Sequence, residues 1–200
     1  MTIATFNDLT AAVADWIARD DLTARIPEFI TLAEAKLNRS LRCQEMETRS
    51  YATVSITDAE PAFIALPTDF QTMRSVVLSS VTDKPRLQYL DDLKIKDYRS
   101  NIGDLTARPQ YFGIFGTEME LVPRPDLAYV LEMTYRARLP ALTNATQTNW
   151  LLTRAPDVYL YGAMLEAAPY MQDDKRIPVW LAGFQNAIET LNTLTQDVVN

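Results

Sequence analysis

The sequence of 200 residues has no histidine, one cysteine and only five glycines. Histidine is the usual general base near neutral pH and the commonest metal ligand, so its absence removes the most frequent hydrolytic and zinc chemistries. Cys43 has no cysteine to pair with and no histidine to activate it, so we expect a small buried side chain. Gly113 and Gly116 lie in a predicted hairpin and not at a strand-to-helix turn, which excludes a phosphate-cradling loop. We therefore expect no catalytic residue, no metal and no cofactor.

Long hydrophobic runs and an excess of positive charge are missing as well. No window approaches the roughly 18 apolar residues of a membrane-spanning helix, and the N-terminus lacks the basic and apolar regions of a signal peptide. The net charge of −7 disfavours a protein that grips DNA phosphates, although DNA could slide past an acidic surface. These features predict a protein that is made in the cytoplasm and is not bound to a membrane.

Hydrophobic residues make up 48% of the chain, which is enough for one core or for one core with an inserted subdomain. Apolar residues that recur every three or four positions predict helices at 6–19, 22–42 and 149–171, and a last helix that runs to about Val198. Thr5 or Asn7 could cap the first helix, Pro156 fits the first turn of the third, and Pro169 is expected to kink or end it. Strand-like composition predicts strands at 48–56, 62–66, 73–78, 86–90 and 128–138, a hairpin at 109–123 that turns near Gly116, and a small helix at 91–99.

Runs of helices at both ends and a run of strands between them indicate an α+β fold. The simplest arrangement is a four-helix domain made from both termini, residues 1–46 and 148–200. An antiparallel β-rich subdomain, residues 47–147, is then inserted between the second and third helices.

Three pairs of adjacent aspartates could in principle bind Mg²⁺ or Ca²⁺: Asp20-Asp21, Asp91-Asp92 and Asp173-Asp174. No calcium-loop spacing accompanies any pair. Each pair lies at a predicted helix junction, where acidic side chains favour the helix dipole and solvent, and we prefer that interpretation. A pair of catalytic carboxylates of the glycosidase type stays open, although no spacing favours it.

The third predicted helix is apolar on more than one face. Such a helix is buried on all sides, so it is either the centre of the helical domain or a face shared with a neighbouring subunit. For the second alternative we predict subunit contacts at Tyr159, Tyr161, Met164 and Leu165. The aromatic side chains of this region could also stack on bases, but few basic residues lie among them, and we prefer packing in the core.

Four segments together resemble the head-to-tail adaptor proteins of tailed bacteriophages. They are IPEFITLAEAKLNR (26–39), ALPTDF (65–70), LEMTYRARLP (131–140) and NWLLTRAPDVYLYGAMLEAAPYMQDD (149–174). The resemblance extends over roughly residues 7–190, and its motifs are packing signatures and not catalytic ones.

The resemblance implies a structural protein in the neck of the virion, between capsid and tail, that is made in the host cytoplasm. Adaptors of this kind form a ring, usually of twelve copies, beneath the portal protein. The ring extends the DNA channel, through which DNA passes without specific binding, and docks a tail or nozzle protein. The C-terminal segment commonly reaches the portal, which implies portal contacts at Gln196, Asp197, Val198, Val199 and Asn200.

Two other functions stay open on the sequence alone. A nucleic-acid-binding assembly factor would need a concentrated basic face, to which Arg74, Arg86, Arg99 and Arg108 are the plausible contributors. An enzyme would need two acidic side chains that converge in a deep pocket.

Overall fold

The computed structural model describes residues 2–56, 62–103, 105–171 and 175–196. Within these residues the chain has six α-helices and two β-sheets, so the fold is of the mixed α+β class. The helices are α1 (Phe6–Ile17), α2 (Ile26–Ser40), α3 (Asp92–Ile102), α4 (Trp150–Arg154), α5 (Pro156–Ala167) and α6 (Ile177–Gln196). The strands are β1 (Glu47–Val54), β2 (Phe63–Ala65), β3 (Phe70–Leu78), β4 (Gln88–Tyr89), β5 (Tyr111–Phe115), β6 (Glu118–Val122) and β7 (Tyr129–Ala137).

The chain divides into two compact units, a helical unit (Met1–Met46 and Arg138–Asn200) and a β unit (Glu47–Ala137). The sequence-based boundary assigned residues 138–147 to the β-rich part, whereas here they belong to the helical unit. The reason is that Leu139 and Leu142 are buried in the helical core. Their backbone N–H groups donate to Asn38 Oδ1 (2.7 Å) and Glu34 Oε1 (2.8 Å), which fixes this segment along α2.

The start of α1 follows from a capping box. The Asp8 N–H donates to Thr5 Oγ1 (3.1 Å), and the Thr5 N–H donates to the Asp8 carboxylate (3.0 Å). The backbone N–H groups of Thr5 and Asp8, which have no acceptor within the helix, are thereby hydrogen-bonded. Thr5 and not Asn7 is therefore the cap. Phe6, Leu9, Val13 and Ile17, which recur every three or four positions, are all buried.

The second predicted helix begins later than expected. Residues Asp20–Arg25 form a 3-10 turn, and the α-helix starts only at Ile26. Pro27 occupies its first turn, where the missing N–H costs nothing. A longer α-helix running through Pro27 would set the proline ring against the carbonyl four residues earlier, so the prediction of a helix from residue 22 was wrong.

Pro156 lies in the first turn of α5, as predicted, but the segment 149–171 also contains a separate short helix, α4, so the prediction of one helix there was wrong. Ala155 leaves the helical conformation (φ −144°, ψ 70°) because the ring of Pro156 disfavours the α region for the residue before it. Helix α5 then begins at Pro156 and ends at Ala167, two residues before Pro169, as predicted. The described part of the helical unit therefore contains five α-helices where the sequence suggested four.

The β unit contains one sheet in the order β1-β7-β3 and another in the order β2-β6-β5-β4. Strand β7 lies between β1 and β3 and pairs antiparallel with both; Leu131 is opposite Ala52 on one side and Leu78 on the other. The β5–β6 hairpin turns at Gly116, whose positive φ of 61° favours glycine. The expected all-antiparallel arrangement was wrong at β4, which pairs parallel with β5 because α3 forms the crossover between them.

Candidate interaction surfaces

A buried polar network lies at the centre of the helical unit. The Tyr159 hydroxyl donates to Glu34 Oε1 (3.2 Å) and accepts from Asn149 Nδ2 (2.6 Å). The same Asn149 caps α4 by accepting from the Leu152 N–H (2.9 Å), and it donates to the Pro140 carbonyl (2.8 Å). One set of hydrogen bonds thus links α2, α4, α5 and the chain segment that enters from the β unit, which fixes the relative positions of these elements.

Glu34 is a buried residue, with 5% of its surface exposed. Burial raises its pKa above the ordinary value of 4.5, although the hydrogen bonds from Leu142 and Tyr159 act in the opposite direction. The fold therefore disfavours the ionised form of this side chain. Its contribution to stability is largest when the carboxyl is protonated, and it is lost as the pH rises through the folded-state pKa.

Replacing Glu34 by glutamine tests this assignment, because glutamine keeps an acceptor oxygen and cannot ionise. We expect the free energy of unfolding of Glu34→Gln, minus that of the wild type, to increase as the pH rises from 4.5 towards 8. Urea unfolding over this pH range measures the difference. A difference that stays constant with pH would show that the pKa of Glu34 is the same in the folded and unfolded states, which would contradict the assignment.

The four residues predicted to contact a neighbouring subunit differ in their exposure to solvent. Tyr159 and Met164 are fully buried inside the helical core and do not reach the surface. Tyr161 and Leu165 are partly buried and lie on the outer side of α5. Tyr161 packs between Trp16 of α1 and Gly183 of α6. The all-round apolar character of α5 is therefore explained by its central position, and subunit contact stays a prediction for Tyr161 and Leu165.

An open groove of about 640 Å³ lies on the helical unit beside Leu165. Its apolar lining comes from Leu165 of α5 and from Leu181, Phe184 and Ile188 of α6. Charged and polar side chains lie at its rim, among them Lys36, which pairs with Glu166. An apolar floor with a polar rim is the arrangement found at protein–protein contacts.

The predicted portal-contact segment falls largely beyond what the structure describes. Helix α6 runs to Gln196, whose side chain is not described. Asp197, Val198, Val199 and Asn200 lie outside the described residues. The prediction for these five residues therefore stays a prediction.

Three of the aspartates considered above as metal ligands, Asp21, Asp91 and Asp92, cap a helix or form ion pairs. Asp91 caps α3 by accepting from the Lys94 N–H (2.9 Å), and this bond lowers the pKa of its carboxyl. Asp92 pairs with Lys96, and Asp21 pairs with Arg19. The pair Asp173-Asp174 lies outside the described residues. Within the described part of the chain, no cluster of three or more potential metal ligands forms.

Each of the four arginines named above for a basic face has a partner. The partners are Glu47 for Arg74, Asp83 for Arg108, Glu120 for Arg99 and the backbone carbonyl of Arg74 for Arg86. A phosphate-binding face needs cations whose charge is not already neutralised. Three of the four arginines, all but Arg86, are in ion pairs, which weakens the alternative of a nucleic-acid-binding factor.

A cleft of about 850 Å³ opens within the β unit between β3 and β4, and we call it the β3–β4 cleft. It is lined by residues 70–75, by residues 86–89 and by Phe112 and Ile114 of β5. No carboxylate lies among these residues, whereas two arginines, Arg74 and Arg86, do. The strands on both sides were predicted from composition, but their juxtaposition has no local signal in the sequence and was missed.

The described part of the chain contains no helix with the length and apolar character that crossing a membrane requires. No curated protein matches the sequence. A protein-family model described as SU10 adaptor protein matches residues 4–200.

Proposed function

The chain belongs to the SU10 adaptor protein family, and from this membership we propose that it forms a ring beneath the portal in the neck of a tailed-phage virion. The family match makes it a phage adaptor protein with a structural role, and it covers nearly the whole chain. In the proposed ring the protein extends the DNA channel and docks a tail or nozzle protein. The match over residues 4–200 is the observation that carries this proposal.

The negative net charge of the chain is compatible with a protein that lines a DNA channel. DNA must pass through the ring without being held, and a net charge of −7 opposes binding to phosphates. The pairing of the arginines in the β unit acts in the same direction, because it leaves these cations less free to contact DNA. We therefore propose passage of DNA without specific binding.

A ring of identical subunits requires two different faces that fit each other, which is a heterologous interface. The groove beside Leu165 supplies an apolar face on the helical unit, and Leu181 at its edge is 44% exposed. We propose that this groove, with Tyr161, receives the neighbouring subunit. The C-terminal residues Gln196 to Asn200 are proposed to contact the portal.

Light scattering tests the proposed assembly. We expect purified protein to join the portal protein of the same virion in a stoichiometric ring, usually of twelve copies in such adaptors. Small interfaces that are individually weak close only on a template, so the free protein is expected to be of lower mass than the mixed complex. A protein that stays apart from the portal at all salt concentrations would contradict the proposal.

Substitutions in the groove separate ring closure from folding. Leu181→Glu is expected to prevent closure, because a charge would be buried at the subunit contact. Leu93→Glu is the matched control, since Leu93 lies on α3 and is 72% exposed. Sedimentation of each variant with the portal measures the number of bound copies. Equal stoichiometry for both variants would rule out the groove as the subunit contact.

A further inference from the structure

We propose that the β3–β4 cleft binds an extended, acidic and apolar peptide segment of another virion protein, which adds as a strand between β3 and β4. The partner's location rests on the adaptor function proposed above. The binding chemistry rests on the geometry of the cleft alone.

The lining of the cleft shows that it runs along a strand edge. Side chains alternate between the two faces of a strand, so a pocket on a sheet face is lined by every second residue. Of the residues of β5, only Phe112 and Ile114 line the cleft, which is this alternating pattern. By contrast, six consecutive residues of β3, 70–75, and four consecutive residues of the neighbouring segment, 86–89, line it. Strand edges therefore form two walls of the cleft, and the face of β5 forms its floor.

The segment that follows β3 pairs with β3 at one end of the cleft. The Leu78 N–H donates to the Pro85 carbonyl (3.1 Å), and the Leu87 N–H donates to the Val76 carbonyl (2.9 Å), so the two segments are paired there. The Gln88 N–H points to the other side of this segment and donates to the Gln110 carbonyl (3.0 Å), and in the described residues β4 belongs to the sheet of β5 and does not pair with β3. Beyond this point β3 and β4 belong to different sheets, and the cleft lies between their edges.

Irregular pairing in β3 accounts for the separation between the edges of β3 and β4. The register of β3 against β7 shifts between Phe70 and Thr72 and again between Met73 and Ser75. Bulges of this kind bend a strand and interrupt regular pairing. In the described residues, β3 is the terminal strand of its sheet and β4 is the terminal strand of the other, so one added strand would have both as neighbours. Six residues of edge correspond to roughly 20 Å of extended chain.

The chemistry of the cleft selects the peptide. The floor and walls present the apolar side chains of Phe70, Met73, Phe112 and Ile114, and Tyr89 is 60% exposed at the rim. Main-chain hydrogen bonds to an edge supply affinity, and pockets for alternate side chains supply specificity. One guanidinium nitrogen of Arg86 donates a hydrogen bond to the Arg74 carbonyl (3.0 Å). No carboxylate lies among the residues that line the cleft. A carboxylate on the incoming peptide would complement this charge.

The experiment uses the full-length protein and overlapping synthetic peptides of twelve residues that cover the other structural proteins of the virion. We expect binding by peptides that alternate apolar residues and carry an Asp or Glu. Fluorescence anisotropy of a labelled peptide measures the affinity. Hydrogen exchange should slow, when the peptide is bound, at those backbone amides of residues 72–75 that face the cleft and not β7, because these amides gain acceptors.

Variants locate the binding. Arg86→Glu and Tyr89→Ala are each expected to weaken binding by about tenfold or more, whereas Arg86→Lys keeps the charge and should retain most of it. Tyr51→Ala is the matched control, because Tyr51 is 59% exposed on β1 and Tyr89 is 60% exposed at the cleft. Thermal unfolding of each variant establishes that the β unit is folded.

The outcomes separate this inference from the proposed function. Absence of a bound peptide, equal affinity of Arg86→Glu and the wild type, or self-association that the cleft variants abolish would each overturn the inference. Joining of the portal is measured on the same Arg86→Glu preparation and is expected to be unchanged. Failure of the wild type to join the portal would overturn the adaptor proposal, while the peptide result would still stand.

Discussion

Replacing Tyr159 by alanine is expected to lower the free energy of unfolding of the helical unit by about 3–5 kcal/mol. The ring is fully buried, so its removal leaves a cavity. The hydroxyl is also lost, which leaves Asn149 and the buried Glu34 each without one hydrogen-bond partner. Cavity formation and lost hydrogen bonding act in the same direction, which makes this the largest expected effect in the helical unit.

Urea unfolding followed by tryptophan fluorescence measures this effect selectively. The chain has three tryptophans, Trp16, Trp150 and Trp180, and all of them belong to the helical unit. Tyr159→Phe retains the ring and should cost only about 1–3 kcal/mol, which is the part due to the hydroxyl. Tyr161→Phe is the matched control on the same helix, at a partly exposed position. Equal losses for the two phenylalanine variants would show that the buried network contributes nothing.

Replacing Leu131 by alanine is expected to destabilise the β unit by about 2–5 kcal/mol. Leu131 is fully buried at the middle of β7, the strand that pairs with both β1 and β3. A cavity at this point removes packing from Leu78 on one side and Ala52 on the other. The opening free energy of the three-stranded sheet should fall by the same amount.

Hydrogen exchange of the β7 amides measures this change, because the β unit contains no tryptophan. Leu127→Ala is the control: Leu127 is 61% exposed just before the same strand, and its loss should change stability by less than about 0.5 kcal/mol. We expect the fluorescence transition of the helical unit to move much less than the exchange of β7. An equal shift in both signals would mean that the two units unfold as one.

Features with a local physical cause could be predicted from the sequence. The start of α1 at a capping residue, for which Thr5 or Asn7 was predicted, the hairpin turn at Gly116 and the end of α5 before Pro169 each depend on a few neighbouring residues. The break between α4 and α5 also has a local cause, the effect of Pro156 on Ala155. The place of Pro156 in a first turn was predicted, whereas the separate helix α4 was missed because the apolar character of the segment continues across the break.

Features that depend on distant parts of the chain could not be predicted. An apolar helix surface does not reveal whether it faces its own core or another subunit, which is why Tyr159 and Met164 were included in a predicted interface. The β3–β4 cleft depends on register shifts against β7, a strand far along the chain. Composition identified most of the strands, but nothing in it specifies where two edges diverge.

The two ends of the β unit lie side by side. Glu47, at the start of β1, pairs with Arg136, next to the end of β7, and paired residues on antiparallel strands have Cα atoms only about 5 Å apart. The remainder of the chain would therefore need only a short turn to bridge the gap that removal of the β unit would leave. In evolutionary terms, this geometry is compatible with gain, loss or exchange of the insert as a single cassette. Recombination could thus change the contacts made by this unit while the helical sequence is inherited unaltered.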